Sequence, residues 1–151
     1  MTSVSEAWAV LGEVPDPEIP VVSVVDLGIV RSVNVEGARV EVTLTPTYTG
    51  CPATLPIREA VEAALREHFE RVNVKVVLAP AWTTEWITPE GLRRLEEYGI
   101  AAPNPPRNRP KRCPQCGATD TEPISEFGST PCKALYRCRA CREPFDYFKC
   151  L

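Results

Sequence analysis

The spacing of apolar residues along this chain changes several times, and each change marks an element. Ser3 to Gly12 sets Trp8, Val10 and Leu11 among polar residues and ends in glycine, which predicts a short helix. Val14-Pro15-Asp16-Pro17-Glu18-Ile19-Pro20 is too rich in proline for a helix or a central strand, so a stiff loop is expected. Val21 to Val33 is a β-branched run interrupted at Asp26-Leu27-Gly28. Glu36-Gly37 then precedes the alternating Val40-Glu41-Val42-Thr43-Leu44, and two antiparallel strands joined by a hairpin follow from this pattern. After a loop over 45–53, Ile57, Val61, Ala64, Leu65 and His68 share one face at helical spacing, opposite Arg58, Glu59, Glu62, Arg66 and Glu67. That predicts an amphipathic helix reaching about Glu70. Val72, Val74, Val76 and Leu78 alternate as a third strand. Thr88 as N-cap and Pro89 in the first turn open a last helix that stops near Gly99.

The fold class expected is α+β: residues 1–102 form a small mixed sheet of three or more strands packed by helices. Residues 103–112 carry prolines at 103, 105, 106 and 110 together with Arg107, Arg109, Lys111 and Arg112, the composition of a semi-rigid linker. Residues 113–151 form a second module.

Composition sharpens this picture in two places. Of 151 residues, 16 are Pro and 7 are Cys, both above ordinary usage. The N-terminus has no basic segment followed by an apolar run, and no stretch approaches the roughly 18 apolar residues of a membrane span. A cytoplasmic protein without membrane partners is therefore expected. In a reducing compartment, clustered cysteines point to metal ligands or working thiolates before disulfides.

Cys113-Pro114-Gln115-Cys116-Gly117 and Cys138-Arg139-Ala140-Cys141 are two C-x-x-C pairs, spaced so that two tight knuckles converge on one tetrahedral ion. So short a module cannot bury enough apolar surface to offset its chain entropy, and a metal would staple it. Four thiolates close the coordination shell, which makes a structural Zn²⁺ the leading reading; iron in a rubredoxin-like ribbon uses the same ligands. Cys132 and Cys150 are left over, either as buried thiols or as additional ligands of an ion or iron–sulfur cluster. Phe127, Tyr136, Phe145, Tyr147 and Phe148 are expected to cover the knuckles as a miniature core.

Charge divides along the same line. Residues 1–102 hold 8 basic and 15 acidic side chains, and residues 103–151 hold 9 basic and 5 acidic. The basic half suggests nucleic acid, but a zinc tetrathiolate would offset part of that charge and the first half is acidic, which argues against it.

Cys51, in Gly50-Cys51-Pro52, stands alone just before the amphipathic helix, where the helix dipole and free backbone N–H groups would stabilise a thiolate. Pro56 places the helix start near Thr54, with Thr54 as its cap. Asp16 and Asp26 could supply a base or an oxygen ligand beside that thiolate, although Asp next to Pro or Gly ordinarily caps a turn. Trp82 and Trp86 read as packing, with a partner-facing patch as the alternative. With one histidine, no phosphate loop and no H-E-x-x-H, a self-contained enzyme is not expected.

Asp16-Pro17-Glu18-Ile19-Pro20, Val25-Asp26-Leu27-Gly28-Ile29-Val30 and Gly50-Cys51-Pro52 resemble the small α+β domain of the SufT-like iron–sulfur assembly family. Trp82-Thr83-Thr84-Glu85-Trp86, Phe127-Gly128-Ser129-Thr130, Cys132 to Cys138 and Phe145 to Cys150 resemble the PaaD-like family, also called PaaJ, over essentially the whole chain. The resemblance implies an accessory factor in assembly or maturation of the iron or iron–sulfur centre of the phenylacetyl-CoA epoxidase, with its oxygenase or reductase subunits and the iron–sulfur assembly machinery as partners. It makes Cys51 the residue for transient contact with iron or a cluster, and Asp26 its orienting neighbour. A structural or regulatory subunit and a nucleic-acid-binding ribbon adaptor are the alternatives.

Overall fold

A computed structural model describes residues 3–47, 53–105 and 107–150. The chain divides into two compact units, Met1–Thr88 and Pro89–Leu151.

In the first unit, helix α1 (Val4–Gly12) starts at Ser3, whose hydroxyl accepts the Glu6 amide at 3.2 Å and so satisfies one orphan donor of the first turn. Ala7 and Leu11, one turn apart, are its buried face. Strands β1 (Val30–Glu36) and β2 (Arg39–Leu44) pair antiparallel across a two-residue connection in which Gly37 supplies φ +58°. Helix α2 (Thr54–Arg66) buries Ile57, Val61 and Leu65 and carries the chain to β3 (Arg71–Val76), which pairs parallel to β2. The sheet order is β1-β2-β3, a mixed sheet as expected.

Several local expectations change. The β-branched run is strand only from Val30; residues 21–28 are turns. Ser23 and Asp26 form a reciprocal pair there, each side chain accepting the other's backbone N–H at 3.0 Å, while the Val24 carbonyl accepts from both Ile29 and Val30. Bonds from the Asp16 amide to the Val22 carbonyl, from the Val24 amide to the Val14 carbonyl and from the Thr45 amide to the Ile29 carbonyl complete the pairing, so Val22, Val24, Leu27 and Ile29 can be buried outside a named strand. Helix α2 ends at Arg66, leaving His68 exposed and Phe69 buried in its place. Thr54 is the first helical residue; Ala53 is the cap and offers no side-chain bond.

Gly28 fixes where Trp86 can lie. Its φ is +71°, and a Cβ there would stand 2.4 Å from the Trp86 carbonyl oxygen. Trp82, 5% exposed, donates its indole N–H to the Leu27 carbonyl at 2.8 Å, and the Arg31 guanidinium lies 3.5 Å from the Trp86 ring centroid. Trp82 and Trp86 therefore both pack within this unit, clasping the Leu27-Gly28 turn.

The second unit begins with α3 (Pro89–Tyr98), which ends before Gly99 at φ +97°. A sheet follows in the order β4 (Ile100–Ala101), β7 (Pro144–Phe148), β6 (Lys133–Cys138), β5 (Thr121–Ser125). Ile100 and Ala101 pair parallel with Asp146 and Tyr147, so the segment after α3 is a strand of the ribbon sheet. The Pro/Arg-rich segment is tied to the same sheet. The Asn104 amide donates to the Tyr147 hydroxyl at 3.1 Å, and that hydroxyl donates to Asn108 Oδ1 at 3.4 Å. Among the described residues no helix is long and apolar enough to cross a membrane.

Gly28→Ala should destabilise the first unit by about 2 kcal/mol or more, because it adds a steric overlap to a left-handed backbone. The midpoint of urea unfolding, followed by tryptophan fluorescence, should fall. An unchanged midpoint would show that the Trp86 segment moves away freely.

Candidate metal centre

Two hairpin turns build the centre. In the first, the Cys113 amide donates to the Ala118 carbonyl at 2.8 Å and the Gly117 amide to the Cys113 carbonyl at 2.9 Å, with Gly117 at φ +78° closing the turn. The second joins β6 to β7: the Cys138 amide donates to the Glu143 carbonyl at 3.0 Å, and Arg142 takes φ +68°. Arg142 thus adopts, in the second knuckle, the left-handed conformation that Gly117 adopts in the first. Residue type carries no signal for this, because arginine has no preference for that region.

The four sulfurs of Cys113, Cys116, Cys138 and Cys141 all lie within 4.8 Å of one another. Cys113 Sγ stands 3.8 Å from Cys141 Sγ, and Cys116 Sγ stands 3.5 Å from Cys138 Sγ. Thiolates bound at about 2.3 Å around a tetrahedral ion stand about 3.8 Å apart, so the donor set fits such an ion with little adjustment. Backbone N–H groups are already aimed at the sulfurs: Gln115 to Cys113 Sγ and Cys141 to Cys138 Sγ, each at 3.4 Å. Such donors favour the thiolate and form the outer shell of a bound metal.

The Cys141 backbone N–H is the main reason the Cys138 thiol is lowered to about 7. For Cys141, a backbone bond at Glu143 favours the thiolate, but burial and the neighbouring Cys138, Cys113 and Cys116 outweigh it and raise the group to about 12. Four sulfurs this close cannot all ionise without a cation among them, so metal binding must release protons and strengthen as pH rises.

Cys132 and Cys150 stand apart from this group. Cys132 is buried, with Sγ 2.9 Å from the Thr130 hydroxyl; Cys150 Sγ lies 3.6 Å from the Tyr147 hydroxyl. Phe145 and Tyr147 form the expected small core with half-buried Tyr136; Phe148 is buried as well but lies outside that cluster. Phe127 does not join it: it is 57% exposed, with the Lys149 ammonium 4.3 Å from its ring centroid.

In the first unit, Asp16 and Asp26 are 5% and 8% exposed. Asp16 Oδ2 accepts the amides of Glu18 and Ile19 at 3.3 and 3.2 Å, and Asp26 Oδ2 accepts that of Ser23. Both carboxylates thus cap turns. Cys51 lies outside the described residues. Thr45, ahead of that loop, keeps a buried hydroxyl with no hydrogen-bond partner among the described residues.

Cys138→Ser should drop bound metal well below one equivalent and unfold the ribbon, since a structural tetrathiolate ion contributes on the order of 10 kcal/mol. Elemental analysis together with amide NMR dispersion for residues 113–148 tests this. A well-dispersed, metal-free ribbon spectrum would contradict a structural role for the ion.

Residues 5–77 match the family described as "Iron-sulfur cluster assembly protein", and residues 104–149 match the "PaaD zinc beta ribbon domain". A DUF59 domain of unknown function from Bacillus anthracis has a similar fold, with TM-score 0.56 and 29% identity over 60% of this chain and 89% of that one. A conserved hypothetical protein from Thermotoga maritima gives TM-score 0.54 and 27% identity over 62% of this chain and 94% of that one. An Escherichia coli (strain K12) protein, named as one of the subunits of a "Putative 1,2-phenylacetyl-CoA epoxidase", is 51% identical over 157 residues, covering 98% of this chain and 93% of its own. With the relatedness running through both units, the chain belongs to the PaaD family of phenylacetyl-CoA epoxidase subunits.

Proposed function

We propose that this protein is a non-catalytic accessory factor that helps install the iron or iron–sulfur centre of a phenylacetyl-CoA epoxidase. The observation that carries this reading is the union, in one chain, of an assembly-type domain over residues 5–77 with the ribbon of an epoxidase subunit family. In this reading iron or a cluster is cargo. Cys51, in the segment between β2 and α2, is its transient thiolate contact, and Asp26 and Asp16 act as neighbours whose first task is to hold the preceding turns. Cys132 and Cys150 are kept as thiols, outside the ligand set.

The ribbon ion in this reading is zinc, held by Cys113, Cys116, Cys138 and Cys141. Four thiolates leave no open position for a substrate, and zinc supplies charge neutralisation without redox chemistry. The ribbon then serves to hold the factor to the oxygenase or its reductase. The name of the Escherichia coli relative favours a second reading, a stoichiometric structural subunit.

The deciding experiment measures iron, acid-labile sulfide and flavin in the oxygenase and in the reductase, each produced with and without this protein. Loss of iron from one of them is expected, with the other unaffected. Cys51→Ala should reproduce that loss while leaving zinc content and the unfolding midpoint unchanged. Full loading of both clients without the factor, combined with stoichiometric co-purification, would replace the assembly role with the structural one.

A further inference from the structure

The ribbon unit carries a second feature, remote in kind from the thiolate cluster. A cavity of about 730 Å³ is lined by the Pro/Arg-rich segment on one side and by β5 and β6 on the other. Arg107, Arg109 and Lys111 line it, and none of them has an ion-pair partner among the described residues. Asp120, the one acidic lining residue, lies 3.7 Å from Arg139 and is thereby partly neutralised. Arg93 is paired with Glu90 and Glu97, Arg94 with Glu90, and Arg137 and Arg139 with Glu122; Arg112 and Arg142, like the cavity cations, have no ion-pair partner among the described residues, but they stand outside the cavity lining. The cavity therefore concentrates uncompensated positive charge in a protein whose formal net charge is −3.

Its uncharged lining is suited to a ring as well as to an anion. Half-buried Tyr136, its ring stacked on Phe145 at 6.3 Å, lines the cavity together with Pro110 and Pro123, and Thr121 adds a hydroxyl. The segment carrying the cations is held in place, since Asn104 Nδ2 donates to the Arg109 carbonyl at 3.0 Å and Asn104 and Asn108 are both bonded to Tyr147. The cations are thus presented from an anchored backbone, so that less entropy is lost on binding.

We propose that this cavity binds a small phosphate-bearing ligand of nucleotide type, with Arg107, Arg109 and Lys111 on the phosphates and Tyr136 against the base. The volume falls within the range of small-molecule pockets. Guanidinium groups match phosphate oxygens in pairs, and an aromatic face with prolines beside it accepts a planar heterocycle. Size also separates this ligand from nucleic acid. A short ligand needs only the local positive field, which extends over a Debye length of roughly 8 Å, whereas a long polyanion needs cations spaced along a track, and Arg107, Arg109 and Lys111 are gathered in one cavity.

The test uses the whole zinc-loaded protein, titrated calorimetrically with ADP, with inorganic pyrophosphate and with a poly-glutamate peptide, while amide NMR locates each response. ADP should bind more tightly than pyrophosphate, weaken as salt is added, and shift the resonances of residues 107–111, Thr121 and Tyr136. A variant with Arg107→Ser, Arg109→Ser and Lys111→Ser should keep its zinc and lose ADP affinity by roughly tenfold or more. The proposal fails if ADP does not bind at millimolar concentration, or if the triple variant binds it equally well. Tighter binding of poly-glutamate at the same residues would also overturn it, and would make the cavity a docking point for an acidic protein segment.

Discussion

Four sulfurs held within 4.8 Å of one another are the constraint on which the ribbon unit depends. The apolar cluster packed around them consists of Ala101, Cys113, Ala134, Cys138, Phe145 and Tyr147, so two of its six members are themselves cluster cysteines. Removing the ion would do more than free two turns: it would place mutually repelling or protonated thiols in the centre of the apolar packing. Even with Leu95, Ile100 and Phe148 also buried, so small a unit does not offset its chain entropy unaided. The parallel pairing of β4 with β7, the Tyr147 bonds to the Pro/Arg-rich segment and the cavity beside β5 all stand on that sheet.

The first unit shows no such cluster of metal-ligating side chains among its described residues and relies on burial. It buries an extended series from Ala7 and Leu11 through Val22, Val24 and Leu27 to Val40, Val42, Val61 and Leu65. Its polar devices are local. Ser3, Asp16, Ser23 and Asp26 each accept a backbone N–H within three residues, so the proline-rich entry and the turn before β1 satisfy themselves while lying against the core.

Much of the fold is legible in the chain. The extent of α1, the Glu36-Gly37 hairpin, the apolar face of α2 and the start of α3 at Pro89 all follow from short-range pattern, because each obeys a rule about neighbours a few residues apart. The two C-x-x-C knuckles are legible for a stronger reason: few backbone paths let four cysteines so spaced avoid meeting around one ion. Pattern and structure part where a residue satisfies one local rule and another interaction overrides it. Val21 to Leu27 has strand composition, yet the Ser23–Asp26 pair and the left-handed Gly28 turn it back. Phe127 has core chemistry but lies under a lysine in solvent.

By itself, then, the sequence determined the α+β class, the tetracysteine centre and the likeness to its family, because these are written in residue type and spacing. Only the tertiary structure decided that β3 lies parallel to β2, that Ile100 and Ala101 belong to the ribbon sheet, and that Arg107, Arg109 and Lys111 line one cavity without an ion-pair partner among the described residues. Pairing partners and the company a charge keeps are set by residues far apart in the chain, and pattern along the chain carries no record of that distance.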